Sequence, residues 1–352
     1  MSKGRFAALI AAMALLAARA ASAAPLLAGF YLPWDDTSQA SLAAHAGALQ
    51  VLAPMSAAVD SPQGHVRWQP DRALAALRAK SRPGSPKVFP VLSNAHDEIW
   101  DVAAAEAAMT NPAAGRALAD QLVAKAAAED YGGYVLDFEN LTPKGLAAYA
   151  PFLARLHAAL KPAGRELWVT ATMGQDPAFI GSLAKATDAV VLMAYDQCWA
   201  TSTPGPIAGD DWLAQTLDAR LAVLDPTHTI VALGAYGYDW PQNPDGKGGV
   251  AKVVSVTEAE ALARLNHAHV VRATPDGNPH FAYNGGDGKP HQVWWLDAAA
   301  FRAQRAAALA RHVRGVAIWR LGLEDPALWT KPTAARPLRP GPAPAACAMA
   351  AH

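Results

Sequence analysis

The sequence predicts an α/β chain folded as a (β/α)8 barrel with a small α+β insertion between the seventh strand and the helix that follows it. Short apolar runs alternate with Ala-rich amphipathic stretches from residue 26 to about 325, and eight such runs suit a closed parallel sheet. They fall near 26–32, 50–53, 87–92, 133–138, 167–172, 189–194, 229–234 and 315–319. Helices are expected over 71–80, 115–129, 143–160, 211–224 and 298–312, where Ala, Leu and Arg recur at helical spacing. An open doubly wound sheet fits the alternation nearly as well. No G-x-G-x-x-G follows the first run, however, so nucleotide binding loses its usual support.

Segment 236–297 breaks the rhythm. It holds a Gly/Pro/Asn/Asp-rich loop at 241–249, a helix expected at 257–266, and strand-like runs at 278–283 and 291–296 around the turn Asn284-Gly285-Gly286-Asp287-Gly288. It is expected to form one wall of a cleft. Its Gly/Asp content suggests a calcium loop, but the spacing matches no EF-hand, and a turn accounts for it.

The two ends differ from the body. Lys3 and Arg5 precede the apolar run Phe6 to Leu16, and Ala21-Ser22-Ala23 offers small residues to a signal peptidase, so 1–24 reads as a secretory leader of a secreted or periplasmic protein. The run is too short to span a bilayer, and no later stretch is long enough to do so. The Pro/Ala-rich stretch 331–352 is expected to stay unfolded, leaving 25–330 as the barrel. Without Lys3, Arg5 and Arg19 the 30 basic residues become 27 against 30 acidic ones, a formal charge of −3, which argues against a nucleic-acid partner. A monomer is expected. Cys198 and Cys347 are the only thiols; a disulfide between them is open, but two unrelated thiols are the expectation. The 11 Trp fit either a large core or a site where rings stack on sugars.

The candidate chemistry lies at 131–142, YGGYVLDFENLT. Strand side chains alternate, so Asp137 and Glu139 point one way and Phe138 the other. Like charges that close push one pKa up, leaving one carboxyl protonated and its neighbour ionised, as a general acid and an electrostatic helper require. Taken alone, such a pair at a strand end fits a water-facing position better than a catalytic one. The other strand ends change that balance, because barrel sites sit at the C-terminal ends of the strands. They read Gly29-Phe30-Tyr31-Leu32-Pro33-Trp34, Met193-Ala194-Tyr195-Asp196, Gly234-Ala235-Tyr236-Gly237-Tyr238 and Ile318-Trp319-Arg320.

These residues resemble glycoside hydrolase family 18, the chitinase-like barrels. Within it the chain is similar to the bacterial subgroup that includes spore-cortex hydrolases and hydrolase domains fused to polysaccharide deacetylases and glycosyltransferases. The likeness runs from GFYLPWDDTSQASL through YGGYVLDFEN and VVLMAYDQ to GVAIWRLGLEDPALW. The family motif D-x-x-D-x-D-x-E falls on Gly132, Val135, Asp137 and Glu139, so only its last two acids are present. The subgroup commonly has Asn at the middle site, and Val135 removes that polar neighbour from Asp137.

The resemblance implies that Glu139 protonates the glycosidic oxygen, Asp137 holds the substrate's N-acetyl group and Tyr195 donates to the acetamido oxygen. That oxygen then attacks the anomeric carbon, giving retention without an enzyme nucleophile. It further implies that Met193 and Asp196 line the same subsite, that the sugar stacks on Trp319, and that Tyr31 and Tyr236 flank it. The implied partner is a β-linked, N-acetylglucosamine-containing polysaccharide or oligosaccharide. No cofactor or metal is implied. The alternative is a lectin-like barrel that grips such a sugar without cutting it; Glu139 argues for cutting and Val135 against.

Other candidates are weaker. His96-Asp97-Glu98 suggests a metal site but lacks a second cluster at ligand spacing, and no G-x-S-x-G offers a serine nucleophile. Asp35-Asp36 after Trp34 reads as a helix-start or loop pair, although the first loop of such barrels can touch substrate. Arg320 is expected to pair with Glu324 or Asp325 in a structural role.

Overall fold

The computed structural model describes residues 25–330 apart from 81, 97–98, 243–248 and 273–276, together with 336–338 and Cys347. The leader 1–24, Asp97-Glu98, most of the 241–249 loop and most of the tail therefore lie outside the described residues.

Eight parallel strands form the barrel: Leu26–Tyr31, Val51–Pro54, the third strand in two pieces (Lys87–Val88 and Val91–Ser93), Gly133–Asp137, Glu166–Thr172, Ala189–Ala194, Thr229–Gly234 and Gly315–Trp319. The split third strand closes the ring. Its first piece pairs with Val51 and Leu52 of the second strand, and its second pairs with Val135, Leu136 and Asp137 of the fourth. Pro90, which has no N–H to give a ladder, lies between the two pieces.

Two faces separate cleanly along every strand. Ala28, Phe30, Val51, Ala53, Phe89, Val91, Val135, Trp168, Val191, Ala232 and Ala317 fill the barrel interior. The alternate positions, such as Leu52, Leu92, Leu136, Val169, Leu192 and Leu233, pack outward under the helices. Low in the barrel, the rings of Phe89 and Trp168 meet with centroids 4.4 Å apart.

Helices start where short polar caps stand before them. Asp35, Asp71, Asp101, Asn111, Thr142, Asp176 and Asp297 each accept a backbone N–H from the first turn of the helix they precede. Each such cap stabilises by about 1 kcal/mol. Pro112, Pro143 and Pro177 follow three of them, where a missing N–H costs nothing. Asp35 and Asp36 thus open a helix, the first of the two readings open for that pair.

The insertion is a four-stranded antiparallel sheet, in the order Lys252–Val254, Gly237–Pro241, Pro290–Trp295, His280–Asn284, with the helix Val256–Leu265 against it. Val254, Val256, Ala259, Phe281, Val293 and Trp295 give it a core of its own. Several elements went unforeseen: the strands Ala57–Val59, Val66–Trp68, Gly237–Pro241 and Lys252–Val254, the helices Val102–Thr110 and Pro177–Ala184, and the extent, though not the start, of the helix Asp36–His45.

Three expectations are corrected. Cys198 and Cys347 form a disulfide, which places Cys347 beside the loop after the sixth strand. The described tail residues are tied down, with Arg336 paired to the fully buried Asp210 and Leu338 packed on the core. Arg320 pairs with Asp35 at 3.1 Å and donates to the Ser38 hydroxyl at 2.9 Å, since the eighth strand lies beside the first and its end faces that loop.

Candidate active site

The alternation that packs the barrel also aims its upper residues. On the fourth strand Tyr134, Leu136 and Phe138 face the helices, where Phe138 stacks against Tyr149 and Phe152. Val135 belongs to the interior set, and Asp137 and Glu139 continue its side into a cavity of about 580 Å³ at the C-terminal mouth. The same period brings Thr170 and Thr172 from the fifth strand, Met193 and Tyr195 from the sixth, Trp319 from the eighth and Phe30 from the first into that cavity. Asp196 joins them from just beyond the sixth strand, where its φ of +57° turns the chain.

Three carboxyls share one partly closed space, and all three are held above the ordinary carboxylate range. Burial, then the charges of Asp137 and Asp196, push Glu139 up to about 8. Burial also raises Asp137, against a hydrogen bond from the Thr170 hydroxyl at 2.7 Å that favours its charged form. Asp196 is raised by burial too, partly offset by hydrogen bonds from Tyr236 and Tyr238. The Tyr195 phenol is held well above its ordinary value by burial and by the acids around it, so it stays a donor. A protonated Glu139 beside an acceptor carboxyl and a phenol donor is a set that can give a proton and bind a polarised amide.

Aromatic rings frame the acids. Trp319 and Tyr195 lie nearly parallel at 12° with centroids 6.0 Å apart, and Phe30 meets Trp319 edge-on at 5.7 Å. Trp100 and Trp212 complete the aromatic part of the lining. Such faces suit a sugar ring.

Six of the eight expected site residues meet here: Asp137, Glu139, Met193, Tyr195, Asp196 and Trp319. Tyr31 does not. It occupies an outward position on the first strand, is fully buried under the helices, and donates its hydroxyl to Asp71. Phe30, one residue earlier, takes the place expected of it. Tyr236 is also withheld from the cavity, buried at 3% exposure and donating to Asp196 from behind. The insertion therefore backs the cleft through Tyr236 and Tyr238, and none of its described residues lines the cavity.

Two residues went unread in the sequence. The side chain of Asn94, fully buried, clasps the backbone of Glu139 from both sides, donating to its carbonyl at 3.1 Å and accepting from its N–H at 2.9 Å. Thr170 holds Asp137. Counting inward positions along the fifth strand was the signal for Thr170; Asn94 had none beyond standing at a strand end. Among the described residues no group of three or more His, Cys, Asp or Glu is placed to hold a metal ion, and no helix is long and apolar enough to cross a membrane.

The missing motif acids have a steric and an apolar explanation. A Cβ at Gly132 would stand 2.5 Å from the Phe89 ring, and Val135 is fully buried in the same apolar layer as Phe89 and Trp168.

Known proteins match along the same span. The family model "Glycosyl hydrolases family 18" matches residues 27–324. The uncharacterized glycosylase YvbX of Bacillus subtilis is 26% identical over 254 residues, which is 69% of this chain and 73% of that protein. The cortical fragment-lytic enzyme of the same organism is 22% identical over 265 residues, 73% of this chain but 62% of its own length, so part of that protein has no counterpart in the match. A chitinase from Chromobacterium violaceum shares the fold, with a TM-score of 0.77 at 24% identity over 87% of this chain and 97% of its own. The barrel, the mouth-facing acids and a family match across nearly all of the described body lead to one assignment: the chain belongs to the glycosyl hydrolases of family 18.

Proposed function

We propose that the protein is an exported, retaining hydrolase of β-linked, N-acetylglucosamine-containing glycans of the peptidoglycan or chitin type, working by substrate-assisted catalysis. The observation that carries this reading is the buried acid pair. Glu139, pushed up to about 8, carries a proton at neutral pH, while Asp137 beside it is hydrogen-bonded in a way that favours its anion.

With an N-acetylated sugar stacked on Trp319, Glu139 gives its proton to the glycosidic oxygen as the bond from that oxygen to the anomeric carbon breaks. The acetamido oxygen, oriented by the Tyr195 hydroxyl, forms a bond to the same carbon. Asp137 accepts from the acetamido N–H and steadies the positive charge that spreads over the new ring. Glu139, now a carboxylate, takes a proton from water; the resulting hydroxide adds to the anomeric carbon, the ring opens, and configuration is retained.

The substrate class is supported by the names of the relatives, a cortical fragment-lytic enzyme and a chitinase. Export is supported by the leader pattern at 1–24 and by the disulfide between Cys198 and Cys347, which oxidising compartments favour. A second reading, binding without cutting, draws on Gly132 and Val135, which leave Asp137 without the acids that the family motif places behind it. Incubating the protein and Glu139→Gln with N-acetylglucosamine oligomers and with purified peptidoglycan separates the two. New reducing ends from the wild type alone are expected; binding by both proteins with product from neither would overturn the hydrolase reading.

A further inference from the structure

Asp137 has lost the neighbours that its strand would otherwise supply. One step down the inward face stands Val135, packed with Phe89 and Trp168, and a side chain at Gly132 would run into the Phe89 ring. A buried carboxylate with no partner is costly, so something else must hold it.

Thr170 stands beside Asp137 on the adjoining fifth strand, 8% exposed, with its Oγ1 2.7 Å from Asp137 Oδ1 and 3.3 Å from the carbonyl oxygen of Leu136. A hydroxyl has one proton and can turn. Toward an ionised Asp137 it donates; when Asp137 takes a proton, the hydroxyl can give its own to the Leu136 carbonyl and accept from the acid instead. Both protonation states are thus satisfied without rotation of the Asp137 side chain. On the other flank Ser93 is in register with Asp137, but its hydroxyl accepts from the Ala95 N–H.

We propose that Thr170 is the positioning residue of Asp137, a hydroxyl standing in this chain where the motif acids are absent, and that it holds the carboxylate aimed at the substrate's acetamido group. The inference rests on the hydrolase reading for its effect on turnover, but not for its effect on Asp137. The titratable groups facing Asp137 are Glu139 on its own strand end, Tyr149 on the helix behind, and Tyr195 and Asp196 just past the end of the sixth strand. All except Thr170 disfavour its anion or leave it unaided, so removing the hydroxyl makes Asp137 harder to ionise.

The test uses Thr170→Val, which keeps the shape, and Thr170→Ser, which keeps the hydroxyl. Turnover of N-acetylglucosamine oligomers or peptidoglycan, whichever the wild type cuts, should fall on the order of tenfold to a hundredfold in Thr170→Val, the range for one hydrogen bond to a charged group. KM should change less than about threefold, the acid limb of the pH profile should move up by about one unit, and Thr170→Ser should restore both. Wild-type turnover and profile in Thr170→Val, or equal loss in both variants, would overturn the proposal. A 13C-carboxyl NMR titration of labelled aspartate, assigned with Asp137→Asn, reads the same hydroxyl without turnover. The Asp137 transition should move to higher pH in Thr170→Val and return in Thr170→Ser. An unmoved transition refutes the role of Thr170 even if the protein cuts; a moved one upholds it even if no glycan is cut, in which case only the hydrolase reading fails.

Discussion

Replacing Glu139 with Gln separates the electrostatic strain of the site from its chemistry. The folded protein holds this half-buried carboxyl at about 8 against an ordinary value of 4.5, through burial and the charges of Asp137 and Asp196. A folded pKa raised above the unfolded one gives a contribution that is fully present below about pH 4.5 and is lost as pH rises through 8. Between those limits the unfolded chain releases a proton that the folded one keeps, so the wild type loses stability relative to a neutral side chain of the same shape. At pH 7 the deficit spans about 2.5 pH units, or about 3 kcal/mol. For a domain of this size that corresponds to a rise in Tm of roughly 6 °C for Glu139→Gln at pH 7.

The dependence on pH is the decisive part. Near pH 4 both proteins carry an uncharged group in both states, and their Tm values should agree within about a degree; the gap should widen steadily to pH 8 and then level off. Differential scanning calorimetry at unit pH steps measures it. The same variant should lose roughly 10²- to 10⁴-fold in turnover, the usual worth of a general acid. A Tm gap that is flat with pH, or a Gln variant less stable than wild type at pH 7, would refute the claim that Glu139 is held protonated, whatever the turnover assay shows.

Three further outcomes follow from the same geometry. Tyr31→Phe removes a hydrogen bond to Asp71 outside the barrel, so turnover should stay within about twofold while urea unfolding shows a loss of about 1–3 kcal/mol; a large fall in turnover would return Tyr31 to the site. Val135→Asp puts a carboxyl into the layer with Phe89 and Trp168 and should destabilise by about 3 kcal/mol or more, read as a lowered Tm; a variant as stable as wild type would show that the apolar layer does not exclude the motif acid. Trp319→Ala removes the face that Tyr195 parallels and should raise KM for N-acetylglucosamine oligomers by about tenfold, whereas an unchanged KM would take Trp319 out of the sugar-binding surface.

What the sequence revealed and what it hid both come from the barrel strands being buried on two sides. Where a strand carries a charge at its end, as at Asp137 and Glu139, the inward face announces itself, and Phe138 falls outward as the period demands. On the first strand Gly29, Phe30 and Tyr31 offer no such contrast, because an aromatic ring suits the interior and the helix layer alike. The resemblance placed Tyr31 inward, and the ladder places Phe30 there. The missing information was register. In the ladder, inward residues pair with inward residues: Val91 with Val135, Val135 with Trp168, Trp168 with Ala189, Val191 with Ile230, Ala232 with Ala317, Ala317 with Ala28, and Phe30 with Ala53. One strand of known facing, read through that register, fixes all the others, Tyr31 included. Thr170 shows the same limit from the other side. In the sequence it is an ordinary β-former, and only its alignment beside the fourth strand makes it the partner of Asp137. Cys347 lies 149 residues from Cys198, a separation that local pattern cannot bridge. The residues of the site were therefore legible one strand at a time, and the contacts that tune them became legible only between strands.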